Sequence, residues 1–323
     1  MPKVSVIIPV YGVEKYIERC ARSLFEQTLD DMEFIFIDDC TPDGSINILS
    51  NVLESYPLRI KQTQIVKMQM NSGQAEVRRL GTQLATGDYI IHCDSDDWVN
   101  ADMYKKMWEK AVGEDLDIVV CDFYRSDGNN YQIFKGIYDG VYQNKTVYFS
   151  ELLKGQVTTA VWNKLVSREI YFSNNIIYPT SNMWEDFVLN VQLTYYSRRI
   201  GYIFLPLYFY FSNPLSICHS NIEQRISQVI DNSNLILRFL HLQGLDKIYK
   251  DELLYFKYYS RSELAVHVME KKYRIMWKNI YPEINVKFCF SKAVSFKEKL
   301  KFMSIYSGIY PMIIRGIRIL KSK

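Results

Sequence analysis

Within its first hundred residues the chain alternates apolar runs with amphipathic ones, and that alternation leaves few folds open. "KVSVIIPV", "MEFIFIDD" and "DYIIHC" read as strands buried on both faces, with "RIKQTQIVKMQM" a fourth. Between them, Val13, Tyr16, Ile17, Cys20 and Leu24 fall on one helical stripe, and "PDGSINILSNVLESY" reads as a second helix. "NSGQAEVRRLGTQLATG" reads as a third, with Asn71 and Gln74 spaced as a capping box and Gly87 as its stop. Strands alternating with helices predict an α/β fold, a mostly parallel sheet with right-handed crossovers and helices on its faces. Such sheets bind ligands beyond the carboxyl ends of their strands, which is where this chain puts its acids.

The alternation weakens past residue 100. A helix is expected over "ADMYKKMWEKAV", a strand over "LDIVVCDFY" and a strand or hairpin over 131–142. Residues 146–172 and 184–199 read as helical, 200–211 as an apolar strand, and 222–283 as wholly helical. This divides the chain into 1–105, 106–220 and a helical region 221–323. Residues 293–323 carry seven Lys/Arg and one Glu against a chain total of +3, so the rest is net acidic. Near-balanced charge overall argues against a nucleic-acid binder, while the basic tail suggests a local anionic partner. The six cysteines are scattered with no C-x-x-C pair, as expected of a reducing compartment without structural zinc. A strand starting at residue 3 leaves no signal peptide, and "YIFLPLYFYF" is far short of the roughly 20 residues of a membrane span, so a cytoplasmic location is expected.

Three acidic clusters are candidates to carry chemistry. In "HCDSDDW", Asp94, Asp96 and Asp97 stand where a buried strand surfaces. Carboxylates suit hard cations such as Mg²⁺ or Mn²⁺, and solvated turn acids are the plainer alternative. In "FIFIDDCTPDGS", Asp38 and Asp39 could accept from a base or ribose, or form a turn. Glu185 and Asp186 open a helix in "NMWEDFVLN", where acids commonly serve only to complement the helix dipole, or where the helix end, by lowering an acid's pKa, suits a base ionised near neutrality. Arg78, on the helix face opposite Val77, Leu80 and Leu84, could meet a diphosphate or lie exposed. Tyr11 could stack on a base. His219, alone in "SICHS", is a weak third metal ligand or phosphate contact, set against an ordinary core or surface role. The absence of G-x-G-x-x-G and of a P-loop disfavours dinucleotide oxidoreductases and P-loop NTPases.

Taken in order, "VSVIIPVYGVEKYIERCARSLFEQTLDDMEFIFIDDCTPDGS", "NSGQAEVRRLGTQLATGDYIIHCDSDDW", "WNKL" and "WEDFVLN" resemble the family 2 inverting glycosyltransferases of the GT-A fold, over roughly residues 3–220. The resemblance implies a nucleotide-sugar donor, usually UDP-linked, a divalent cation (Mn²⁺ or Mg²⁺), and a glycan or lipid-linked glycan acceptor. By position it implies that Pro9, Tyr11, Asp39 and Arg78 frame the nucleotide, with Asp94 and Ser95 beside them. Asp94 and Asp96 match the D-x-D, Asp96 being the direct metal ligand. Asp186 matches the catalytic base and Glu185 its support. The chain departs from the pattern at Val77-Arg78-Arg79, where A-R-N is usual, and at Cys40, where a permissive Gly often sits. A nucleotidyltransferase acting on sugar phosphates or a non-catalytic sugar-binding module are the rival readings. Residues 221–323 lie outside the resemblance; the tail within them, 293–323, either packs on the body or lies on an anionic membrane surface.

Overall fold

A computed structural model describes the chain except for residues 129, 138–139, 142–143, 214–220, 266, 293, 311 and 313–323. It forms two compact units, Met1–Leu152 with Gln156–His219, and Leu153–Gly155 with Ser220–Lys323.

The first unit opens with the expected alternation: β1 (Val4–Val10), α1 (Ile17–Phe25), β2 (Met32–Asp38), α2 (Ser45–Glu54), α3 (Pro57–Ile60), β3 (Thr63–Lys67), α4 (Gln74–Leu84) and β4 (Tyr89–His92). Then come β5 (Trp98–Val99), α5 (Met103–Gly113), β6 (Ile118–Ser126), β7 (Tyr131–Phe134), α6 (Lys145–Leu153), β8 (Lys164–Ser167), α7 (Arg168–Ser173), α8 (Glu185–Tyr196) and β9 (Ile200–Phe211). The strands line up as β3-β2-β1-β4-β8-β6-β9-β5, with β7 also paired to β6. The first four are parallel, and β8 reverses direction between β4 and β6. Residues 146–172 are therefore not one helix. Leu165 and Val166 are both buried, and a segment apolar on successive positions fills a central strand as well as it fills a helix.

The register sets the site. Val10 lies opposite Asp38, and Ile7 opposite His92, so β1, β2 and β4 end at one edge and release Tyr11, Asp39 and Asp94 side by side. Helix α4 presses on this sheet at Gly81, where an added Cβ would stand 2.3 Å from Ile7. Beneath it the core is continuous from Val6, Ile8 and Phe36 through Ile91 to Tyr208.

Cys40 has a left-handed backbone, φ 57°, at the position where the sequence suggested a permissive glycine. Its Sγ contacts the Met68 carbonyl at 3.1 Å. Left-handed geometry costs a non-glycine residue about 1–2 kcal/mol. Cys40→Gly is therefore expected to keep the melting temperature within a few degrees, while β-branched Cys40→Val lowers it; thermal melts of both variants check this.

The second unit, among its described residues, is helical: α9 (Ile222–Leu242), α10 (Lys250–Tyr259), α11 (Ser262–Ala265), α12 (Lys271–Asn279), α13 (Ile284–Phe290) and α14 (Phe296–Ser307). Trp277, Phe288, Phe302 and Ile305 form its core, with Tyr258 against Phe288 at 4.3 Å between ring centroids.

Candidate active site

The charge that offsets the clustered aspartates lies within the chain itself. Arg78 is 2% exposed, and its guanidinium spans two acids: Nη2 donates to Asp94 at 2.7 Å and Nε donates to Glu185 at 2.8 Å. The exposed reading of this residue therefore does not hold. Its helix face carries Gly81 and Thr82, side chains small enough to let a long cation fold inward.

Each partner arrives from a different element. Asp94 follows β4, and its Oδ1 also accepts from Gln74 at 3.2 Å. Glu185 opens α8 behind Trp184, whose φ of 66° is unusual for a bulky residue. Left-handed aromatic backbone persists only where surroundings over-determine it, a pattern concentrated at functional sites. The turn sets Glu185 facing inward while Asp186, beside it, remains half-buried.

Around one guanidinium stand three acids, and they cannot all ionise freely. Burial, with the nearby Asp186 and Asp94 charges, pushes Glu185 up to about 8 despite Arg78. Its Oε2 is buried with no hydrogen-bond partner among the described residues, a place for the proton that costs no existing bond. Burial also pushes Asp186 up to about 6, against the pull of Arg78 and Lys164. The expectation that the helix end lowers this pKa is thus corrected: desolvation outweighs the dipole. Such a pair shares its protons, so the two values belong to the couple.

The D-x-D acids divide their tasks. Asp96 accepts from Asn213 Nδ2 at 2.9 Å, and burial plus the Asp94 charge push it up to about 6. Asp97 is fully buried and accepts from Tyr208 Oη and the Phe211 amide, both at 2.6 Å. It anchors β9 and is not a solvated member of the cluster. Ser95, between the first two acids, is buried.

Asp39 gives one oxygen each to the amides of Ser72 (2.7 Å) and Gly73 (2.9 Å). It, with Asn182 accepting from the Ala75 amide at 3.2 Å, satisfies the first turn of α4. The expected Asn71–Gln74 capping box is not formed; Gly73 is the N-cap, φ 83°, and a Cβ there would stand 2.5 Å from Asn182. Pro9 lies in β1, and Tyr11 is half exposed just beyond it. His219 lies outside the described residues.

Several contributors went unread in the sequence. Lys164 of "WNKL" is buried, donating to the carbonyls of Thr158 (2.8 Å) and Ala160 (2.6 Å) and to Asn163 Oδ1 (3.1 Å), with burial lowering it to about 7. Asn190 joins that loop to α8, donating to Ala160 O at 3.2 Å and Asp186 O at 3.0 Å. His92 is buried beneath the site, held well below its usual pKa by desolvation and by Arg78. Among the described residues no group of three His, Cys, Asp or Glu side chains is arranged to hold a metal ion. The donor set nonetheless suits a hard cation that keeps few protein ligands: two carboxylates at one strand end, one of them desolvated beside the other's charge.

A mostly parallel sheet with a charged site at the carboxyl ends of its first strands is the α/β arrangement that receives a ligand beyond those strand ends. Residues 5–171 match the model of glycosyl transferase family 2. EpsJ of Bacillus subtilis (strain 168), an uncharacterized glycosyltransferase, is 32% identical over 222 residues, 67% of this chain and 63% of that one. EpsH of the same organism, provisionally assigned as a glycosyltransferase, is 30% identical over 241 residues, 73% and 67% of the two chains. Among solved structures, S. aureus TarS 1–349 in complex with UDP-GlcNAc aligns over 97% of this chain and 92% of that one, with TM-score 0.70 and 18% identity. The mannosyltransferase PcManGT from Pyrobaculum calidifontis, solved with GDP-Man and Mn²⁺, aligns over 96% and 86%, with TM-score 0.54 and 14% identity. The chain belongs to glycosyl transferase family 2, and it is a glycosyltransferase of GT-A-like fold.

Proposed function

We propose that the chain is an inverting, metal-dependent transferase moving a hexosyl or N-acetylhexosaminyl group from a UDP-sugar to a hydroxyl of a glycan or lipid-linked glycan, in capsule, exopolysaccharide or lipopolysaccharide assembly. Residues 1–105 form the nucleotide half and 106–220 the acceptor half. The observation that carries this reading is the Arg78 bridge, which ties the strand-end acid Asp94 to the helix-start pair Glu185–Asp186. It sets a donor-binding acid and a general base at fixed separation on one rigid frame.

In this reading Asp186 takes the proton from the acceptor hydroxyl. The acceptor oxygen then attacks the anomeric carbon from the face opposite the departing diphosphate, and one displacement inverts that carbon. Glu185 supports Asp186, and Arg78, held between Asp94 and Glu185, helps frame the nucleotide. Tyr11 stacks on the nucleobase, Pro9 shapes its floor, and Asp39 fixes the loop at Ser72–Gly73 that borders it. Asp94 and Asp96 would hold Mn²⁺ or Mg²⁺, which when bound neutralises charge on the leaving diphosphate.

Asp96→Asn is expected to weaken Mn²⁺-dependent UDP binding at least tenfold in calorimetry; equal affinity would remove the metal assignment. Metal-dependent UDP release from one member of a UDP-sugar panel tests the donor. We also infer a cytoplasmic location with peripheral contact to the inner face of the plasma membrane through residues 293–323. No helix among the described residues is long and apolar enough to cross a membrane.

A further inference from the structure

Helix α14 is apolar on two opposite sides. Phe302 and Ile305 are buried in the core of the second unit. At 100° per residue, Phe296, Leu300 and Met303 fall on the other side, where they are 74%, 48% and 43% exposed. Phe290, the last residue of α13, is 80% exposed as well. A helix that only packed on its own unit would place polar side chains outward.

The lysines of α14 stand to either side of this stripe, while exposed Ser307 falls within it and Glu298 lies on the buried side. The same angular step puts Lys297 and Lys301 on one flank of the outward stripe and Lys299 on the other. Lys287 and Lys292 belong to the same stretch, so residues 287–301 carry five lysines and one acid. That acid, Glu298, is committed: it closes the capping box with Ser295 and accepts from Tyr255 Oη at 2.9 Å. An apolar stripe with lysines to either side and a single acid matches the section through a bilayer surface, with acyl carbon at the centre and anionic headgroups on either side. Lysine stems also extend along such a boundary while their ammonium groups stay in the headgroup layer.

We propose that Phe296, Leu300 and Met303, edged by Lys297, Lys299 and Lys301, are the seat of an anionic lipid surface. This rests on the membrane reading above and narrows it to one helix face, but it does not depend on Asp94, Asp96 or Asp186. The helix lies in the plane of the headgroups. A soluble protein partner would be served by the stripe alone and would not call for lysines along both of its edges.

Sedimentation of the full chain with vesicles tests the proposal. Wild type is expected to bind vesicles of phosphatidylglycerol and phosphatidylcholine, and to bind pure phosphatidylcholine far more weakly. Replacing Lys297, Lys299 and Lys301 together by Gln should cut binding about 100-fold, near fivefold or about 1 kcal/mol per lysine. Phe296→Ser with Leu300→Ser should abolish it without changing the helical circular dichroism. UDP-sugar turnover with a soluble acceptor should be unchanged in both variants, which separates failure here from failure of the transferase reading. Unchanged vesicle binding by either variant overturns the proposal. So does a wild-type dimer in solution that the Phe296/Leu300 variant splits, which would assign the stripe to a second copy.

Discussion

Asp186→Asn is expected to lower kcat for sugar transfer by about 10²–10⁴-fold, the range typical of a lost general base, while UDP-sugar affinity stays within twofold. The side chain is half-buried at the start of α8, and its Oδ1 accepts from the next amide, Phe187, at 2.8 Å. An amide of the same shape can keep that bond, so the loss falls on chemistry and not on folding. The pH profile supplies a second readout. Burial raises Asp186 to about 6, with Arg78, Lys164 and Asp94 as the charges facing it and Glu185 beside it. The base works ionised, so turnover should rise with pH through an acid limb near 6 and level off above it. Stopped assays from pH 5 to 8 with a soluble acceptor check both points. If the Asn variant turned over like wild type, Asp186 would not be the base.

Much of this arrangement was legible in the residues because strand ends announce themselves. The apolar run Tyr89–Cys93 breaks at Asp94, and "FIFIDD" breaks in the same way, so both acids could be placed at one sheet edge by period and topology alone. Asp186 and Glu185 were legible as the first turn of a helix. Their protonation was not, because it depends on burial that no local pattern records. Arg78 shows the limit most clearly. Its neighbours along the helix read as an ordinary amphipathic stripe, and only the fold discloses that acids from β4 and α8 converge on it from 16 and 107 positions away. Asp97 looked like one more member of a solvent-facing cluster, yet the next strand to pair there, β9, lies more than a hundred residues on and claims it. Strand β8 failed for a different reason: four residues are too short for a period of two to show against a helical background. Lys164 sits in that same strand, and its partners are mostly backbone carbonyls, which leave no mark in a sequence.

Because Arg78 is the cation bonded to both Asp94 and Glu185, Arg78→Leu should be the most destabilising single change in the site. Removing one partner of a buried ion pair costs about 3–5 kcal/mol, and each kcal/mol shifts the midpoint by about 2–4 °C in a unit of this size. A fall in melting temperature of roughly 6–20 °C is expected. The pH dependence identifies the cause. Burial raises Glu185 in the folded state from its ordinary value to about 8. A raised acid contributes stability that is present below its unfolded pKa and lost as pH climbs through the folded one. Without the guanidinium, that loss deepens. The deficit of Arg78→Leu relative to wild type should therefore be smallest near pH 5 and grow toward pH 8. Adding Glu185→Gln removes one of the uncompensated charges and should recover part of the lost stability at pH 8, with little further gain at pH 5, where Glu185 is already protonated. Thermal melts of the single and double variants at the two pH values read this directly. An equal deficit at both would mean that Arg78 matters for its packing, and that the charge balance around Asp94 and Glu185 is set elsewhere.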